Sequence, residues 1–247
     1  VTTNVFERVA RSGLLGLTQA EVNTKLPALA GETESAWVAD SVSNSINRGT
    51  PILKVFADWW TGGKLVADTS WYNESATEFI LMDAEDLNGL ALIVNSGLDN
   101  FAGKTVKLGG NITVNEVSAS ILNQWEIGQN VPQVGFEPIG TAARPFAGSF
   151  DGQGYTLSGI YVSSSAPHVG LFGITVAGSI VKDVKIVDSY FEQPEVSSAK
   201  YIGSVVGELR GDMSQVYSSA IVVSSGSNVG GLIGRTNASG EVMTLSE

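Results

Sequence analysis

Three stretches of the chain repeat one phrase: Val169-Gly-Leu-Phe-Gly173, Ile202-Gly-Ser-Val-Val-Gly207 and Val229-Gly-Gly-Leu-Ile-Gly234, starting 33 and then 27 residues apart. A second phrase keeps step with it, as Gly178-Ser-Ile180, Gly211-Asp-Met213 and Gly240-Glu-Val242. A third pairs Val184-Lys-Ile186 with Ala220-Ile-Val222. Each unit offers apolar and β-branched residues for short strands, with Gly where the chain is expected to bend. One such rung cannot bury both of its faces, so stability has to come from stacking on its neighbours. Ser163-Ser-Ser165, Ser197-Ser198 and Ser224-Ser-Gly-Ser227 read as polar loops between equivalent strands.

Upstream of the repeats, Phe146-Ala-Gly-Ser-Phe-Asp-Gly-Gln-Gly154 reads as a strand entering a tight turn. Asp151 is expected to cap its own backbone there, with Gly152 and Gly154 at positive φ. Earlier still, Asp83-Ala-Glu-Asp86 opens a helix over 83–94 with three acids facing the positive end of its dipole. Leu87, Leu90, Ala91 and Val94 share one face of it, and Asn95-Ser-Gly97 stops it. Strands are expected at Lys104–Leu108 and Asn111–Val114. The helix would lay its apolar face over the first rung and close an otherwise open core.

Composition agrees with a β architecture rich in tight turns. Gly makes up 29 of 247 residues, whereas charged residues are 16% against a typical ~25%. The 43% hydrophobic content excludes disorder, and 7 Pro with no three-residue Gly period exclude collagen. A net charge of −11 argues against nucleic acid as a partner. Zero Cys removes thiolate and Cys-zinc chemistry, and a single His removes multi-histidine metal sites. No apolar run approaches the ~18 residues of a membrane span. Val1 is not an initiator Met, so the numbering reads as starting at a processed or trimmed end.

Residues 1–75 have a different grammar. They hold four of the five Trp and carry 6 basic and 8 acidic residues, against 8 and 17 in residues 76–247. Thr18-Gln-Ala-Glu21 fits a capping box, and a second helix is expected from Glu34 to Ile46. Pro51–Trp60 alternates like a strand. The division is therefore a mixed helical and strand region over 1–75, a candidate partner contact, and a β-solenoid over 76–247.

The phrases from Val169 and Val229 resemble the GLUG motif of bacterial surface β-helix proteins, adhesin-like chains and the non-catalytic repeat part of IgA1-protease-type surface proteins. The Phe146–Ile160 stretch is similar to the F-G-F-D-G-G-h-I turn of such proteins, so GLUG-like repeats start at 146. Asp83–Val114 and Pro138-Ile-Gly140 match what precedes those repeats. The resemblance covers about Trp71 to Val242. It implies a right-handed parallel β-helix outside the cell, serving attachment or assembly. The protease's zinc motif has no counterpart here, and no peptidase activity is carried over.

Several residues invite chemistry and receive a structural reading first. Gly152, Gly154, Gly170, Gly173, Gly203, Gly207, Gly230 and Gly234 are read as repeat and turn glycines, and Asp151 as a turn residue. His168 has no acid or nucleophile near it in sequence and reads as a loop residue. Asp83, Glu85 and Asp86 make calcium the one candidate cofactor, with helix capping as the competing use. No row of carboxylates suited to glycoside or polysaccharide cleavage aligns across the repeats. Trp37, Trp59 and Trp60 are candidate ligand or partner contacts, because Trp rings stack on sugars and fill interfaces. The sequons Asn73-Glu-Ser, Asn111-Ile-Thr and Asn237-Ala-Ser matter only in a host that glycosylates.

The expectation is a non-enzymatic extracellular β-helix module for attachment or assembly into a filament. Its expected partners are further copies of itself, surface-structure subunits or glycans. A carbohydrate-binding or carbohydrate-cleaving β-helix and a phage fibre component are the rival readings. An unpaired last rung calls for more repeats or another subunit to cover it.

Overall fold

The computed structural model describes residues 37–38, 52–53, 65–117, 134–194, 200–226, 228–236 and 245–246. The chain forms two compact units, 1–66 and 67–247. In the first, β1 (Trp37–Val38) pairs antiparallel with β2 (Ile52–Leu53), Trp37 opposite Leu53. Trp37 and Val38 are thus strand residues and not part of a helix over 34–46. Bulky and β-branched side chains suit a paired strand better than a helix surface. The expected helix after Thr18 lies outside the described residues, as do Trp59 and Trp60.

The second unit is a parallel β-solenoid. It opens with β3 (Glu78–Leu81) and α1 (Ala84–Ser96), then β4 (Thr105–Leu108) and β5 (Ile112–Thr113). One full turn is β6 (Ser149–Asp151), β7 (Thr156–Ser158), β8 (Tyr161–Ser163), β9 (His168–Val169) and β10 (Phe172–Ile174). The next is β11 (Ile180–Lys182), β12 (Lys185–Val187), β13 (Tyr190–Gln193), β14 (Tyr201–Ile202) and β15 (Val206–Leu209). A further turn is β16 (Asp212–Ser214), β17 (Tyr217–Ser218), β18 (Ile221–Ser224), β19 (Asn228–Val229) and β20 (Ile233–Thr236), and β21 (Leu245–Ser246) follows it.

Equivalent strands stack into five parallel sheets. The first runs β3-β4-β6-β11-β16-β21 and the second β5-β7-β12-β17, while the other three hold three strands each. Because β3 pairs parallel with β4, the stacked strands include Glu78–Leu81, ahead of the helix.

Alternation with period two puts one side chain of each short strand inside. Val106, Phe150, Val181 and Met213 form the inner column of the first sheet. Ile112, Leu157 and Ile186 do so in the second, and Val162 and Phe191 in the third. All are buried, and each such side chain contributes on the order of 1.5–3 kcal/mol.

In the first turn α1 follows β3 and precedes β4 in the chain, where later turns place four more strands. Leu87, Leu90, Ala91, Ile93 and Val94 are buried along it. Asp83 caps it by accepting from the Asp86 N–H at 2.9 Å, and Gly97 ends it at φ 79°. The Asn95 side chain ties the helix to the next turn, donating to the Pro138 carbonyl and accepting from the Gly140 N–H, both at 2.9 Å. Outside the helix, Asp68 donates its N–H to the Glu85 carbonyl, and the Asp68 carbonyl fills the space where a side chain on Gly89 would stand. Trp71, Tyr72, Phe79 and Phe101 form an aromatic cluster, and it continues through Phe146 to Phe172 and Phe150.

Stacking also corrects the alignment of two phrases. Val181, Met213 and Leu245 share a column, so Gly211 aligns with Ser179, one residue after Gly178. Ala220-Ile-Val222 stacks on Ser189-Tyr-Phe191, one strand beyond Val184-Lys-Ile186. The alternation of apolar residues is alike in neighbouring strands, so only backbone pairing separates these registers.

Candidate functional site

The repeated phrase is the most regular element. Val169, Ile202 and Val229 stack in one column, and Phe172, Val206 and Ile233 in the next. Ile139 extends that second column upward by pairing with Phe172, which makes Pro138-Ile-Gly140 an imperfect first copy. Between the columns the chain bends so tightly that its backbone meets that of the neighbouring turn. A methyl group at Gly207 would fall 2.7 Å from both the Gly173 carbonyl oxygen and the Val169 nitrogen. At Gly170 it would fall 2.7 Å from the Gly203 carbonyl. Gly173 faces the Gly140 carbonyl, Gly203 the Leu232 carbonyl, Gly230 the Ile233 carbonyl and Gly234 the Ile202 nitrogen, each too close for any side chain. None of these six has positive φ, so they are glycine for proximity and not for conformation.

The Asp151 turn behaves as expected in one respect and differs in another. Asp151 Oδ1 accepts the Gln153 N–H at 2.9 Å. Positive φ falls on Gln153 (56°) and Gly154 (78°), not on Gly152. Gly152 instead stands against the Asp183 carbonyl of the next turn, which accepts the Gly154 N–H at 2.7 Å and leaves no space for a Cβ on Gly152. The four residues 152–155 replace the two-residue corners Asp183-Val184 and Gln215-Val216 of later turns, where Asp183 and Gln215 adopt φ of 54° and 53°. Asp151 Oδ2 also lies 2.7 Å from Lys182 Nζ, its neighbour in the column. Burial raises the Asp151 carboxyl, but Lys182 and the Gln153 N–H outweigh it and hold the group below the usual carboxylate range.

His168 is a strand residue with an acid partner, contrary to the loop reading. Its Nε2 lies 2.9 Å from Glu208 Oε2, and both side chains are nearly sealed from solvent. Arg210 Nε donates to the other Glu208 oxygen at 2.8 Å. The imidazole stacks on Tyr201, centroids 5.3 Å apart, and Arg235 also lies over that ring, 4.9 Å from its centroid, while donating to its hydroxyl at 2.6 Å. The partners sit 33 to 67 positions along the chain and meet only because turns stack. The one sequence signal for this cluster is the column His168, Tyr201, Asn228, which precedes the three phrases.

A second polar cluster gathers at the Ser163–Ser165 loop. Lys200 is 1% exposed and donates Nζ to the Ser165 carbonyl at 2.9 Å, and burial pulls its ammonium below the usual lysine range. Gln193 donates to the Ala166 carbonyl at 2.7 Å, and Asn228 to the Lys200 carbonyl at 3.0 Å. On the outside of the third sheet the Tyr161 and Tyr190 rings stack at 5.6 Å, with Val117 and Ile221 packed against them.

Two of the three helix-start acids are engaged at the helix start: Asp83 as above, and Asp86 Oδ2 by accepting the Met82 N–H at 2.8 Å. Among the described residues no three His, Cys, Asp or Glu side chains converge as a metal site, and no helix is long and apolar enough to cross a membrane. The side chain of Trp37 and the whole of Trp59 and Trp60, candidate contacts in the sequence, lie outside the described residues.

No protein-family model and no solved structure matches the chain. Among curated proteins it is similar to halomucin of Haloquadratum walsbyi (strain DSM 16790 / HBSQ001), at 27% identity over 224 residues. The alignment covers 89% of this chain and 2% of the length of halomucin.

Proposed function

We propose that the chain is a structural module of the cell surface, a GLUG-like β-helix that holds other groups at a fixed spacing for attachment or assembly and carries out no catalysis. The observation behind this reading is the in-register stacking of the three glycine phrases, which makes a regular rod whose outer columns can repeat a contact from turn to turn. The likeness to halomucin, a mucin by name, is compatible with a surface structural role. Labelling intact cells with a membrane-impermeant amine reagent tests the location, since Lys185 is exposed on the second sheet. Labelling before lysis supports it, and labelling only after lysis contradicts it. Negative-stain electron microscopy at several concentrations tests assembly: fibres or rings support a self-assembling subunit, and uniform short rods point to a monomeric attachment module.

Carbohydrate binding is the second reading, favoured by two exposed aromatic rings. Tyr217 shares an outward column with Thr156 and Lys185, and Tyr155 directly precedes that column; the two rings are 56% and 38% exposed. Loss of glycan-array binding in Y155A/Y217A supports it, and an unchanged profile rejects it.

A further inference from the structure

Among the described residues, asparagine side chains of the solenoid serve in two different ways. Asn95, Asn115 and Asn228 use their Nδ2 inside the fold, donating to the carbonyls of Pro138, of Val134 and Gly159, and of Lys200. Asn73 and Asn111 do the reverse. Asn73 Oδ1 accepts the Ser75 N–H at 3.0 Å and closes a tight turn on itself. Asn111 Oδ1 accepts the Thr156 N–H of the following turn, also at 3.0 Å. Both residues are exposed, and neither Nδ2 has a bonding partner among the described residues. These same two open the tripeptides Asn73-Glu-Ser75 and Asn111-Ile-Thr113, with a hydroxyl two positions on and no intervening Pro.

We propose that Asn73 and Asn111 are attachment sites for N-linked oligosaccharide. The chemistry is transfer from a lipid-linked glycosyl phosphate. A bond forms between Nδ2 and the anomeric carbon, and the bond from that carbon to the phosphate oxygen breaks. The phosphate leaves with the electron pair, one amide proton passes to a base of the transferase, and nothing is oxidised or reduced. The product keeps Oδ1 and one amide N–H, so both backbone bonds described above persist after modification. Asn73, Glu74 and Ser75 are all exposed, and Asn111 stands at the corner between β4 and β5, so both sites open to solvent. Asn100 is the internal control. It too is exposed, and its Oδ1 accepts the Ala102 N–H at 3.1 Å, but Phe101-Ala102 follow and supply no hydroxyl.

The inference rests on the proposed surface location only in that such transferases act on exported chains. Site-resolved mass spectrometry of the full chain purified from its native cells is the test, with trypsin cutting after Lys104 and Lys107 to part the two sites. Glycan is expected on Asn73 and Asn111, released by an amidase that leaves Asp in place of each, with Asn100 bare. A chain labelled on intact cells yet unmodified at both sites overturns glycosylation while leaving the location standing. In S75A and T113A each glycan should vanish with its asparagine and that asparagine's Oδ1 bond retained. A glycan that persists at Asn73 in S75A, or at Asn111 in T113A, overturns the assignment for that site.

Discussion

Glu208 holds His168 at 2.9 Å through one carboxylate oxygen and Arg210 at 2.8 Å through the other, joining residues forty positions apart across one solenoid turn. Removing the carboxylate leaves a buried imidazole without its acid and a guanidinium without its anchor. Glu208→Ala is expected to cost about 3 kcal/mol in urea unfolding, the range for breaking a buried pair from one side. Glu208→Gln keeps the shape and should cost less. A loss below about 0.5 kcal/mol in Glu208→Ala would mean that the contact adds no more than an exposed pair does.

The glycines make a graded prediction. Gly207→Ala drives a methyl into the Gly173 carbonyl and the Val169 nitrogen, and is expected to cost several kcal/mol or to abolish folding. Gly154→Ala meets open space but sits at φ 78°, so only the left-handed penalty of about 1–2 kcal/mol applies. Gly231→Ala has neither obstacle and should be neutral or stabilising by up to about 1 kcal/mol. Thermal melts of the three variants should rank in that order.

Acid stability depends on Asp99 and Asp151. Burial raises Asp99, but Lys104 at 2.6 Å, the Phe101 N–H at 2.7 Å and the Tyr72 hydroxyl at 2.9 Å outweigh it and lower the group. Carboxyls lowered on folding stabilise fully above the unfolded value of about 3.9, and the benefit is lost as pH falls through their folded values. Asp99→Asn and Asp151→Asn should therefore each flatten the fall of melting temperature below pH 4. Unchanged acid limbs would reject the assignment.

At the alkaline side, burial and the bond to Asp99 push the Tyr72 hydroxyl up to about 12. A group raised on folding gives stability that is whole below its unfolded value near 10 and is lost as pH rises toward 12. Burial also raises the Tyr161 and Tyr190 hydroxyls, so ultraviolet titration should find these three tyrosinates appearing late, and Tyr72→Phe should reduce the amplitude of that late step by one tyrosine.

The cap makes a smaller, local prediction. Asp83→Ala removes the acceptor of the Asp86 N–H and should cost about 1 kcal/mol, while Asp83→Ser should restore most of it. Equal losses in both would mean that charge at this position matters more than the hydrogen bond.

Much of the solenoid was legible in the sequence because apolar alternation and the Val169, Ile202 and Val229 phrases repeat at a near-constant step. The helix was legible too, since Asp83 and Gly97 carry their capping chemistry locally. Register was not: Met213 pairs with Val181 rather than Ile180, a choice made by backbone hydrogen bonds that side-chain pattern leaves degenerate. Nor was the reason for the glycines, as positive φ falls on Gln153, Asp183 and Gln215 while Gly152 and Gly207 answer to a neighbouring turn. His168 was misread because its acid lies in the next turn, where no local spacing rule reaches. The loops hid Lys200 in the same way, since its partner is a backbone carbonyl of the preceding turn.

The central claim is that successive turns stack in the stated register, and the absence of native Cys makes it directly measurable. Neighbouring strands lie ~4.8 Å apart, inside the Cα range of a disulfide, whereas strands two turns apart lie ~9.6 Å apart and outside it. Thr156 pairs with Lys185 in the next turn, and Tyr217 stands one turn further. Mild oxidation of T156C/K185C should give an intramolecular disulfide in the folded protein, and T156C/Y217C should stay reduced. Cross-linking of the second pair in preference to the first would contradict the register and, with it, the stack on which the account depends.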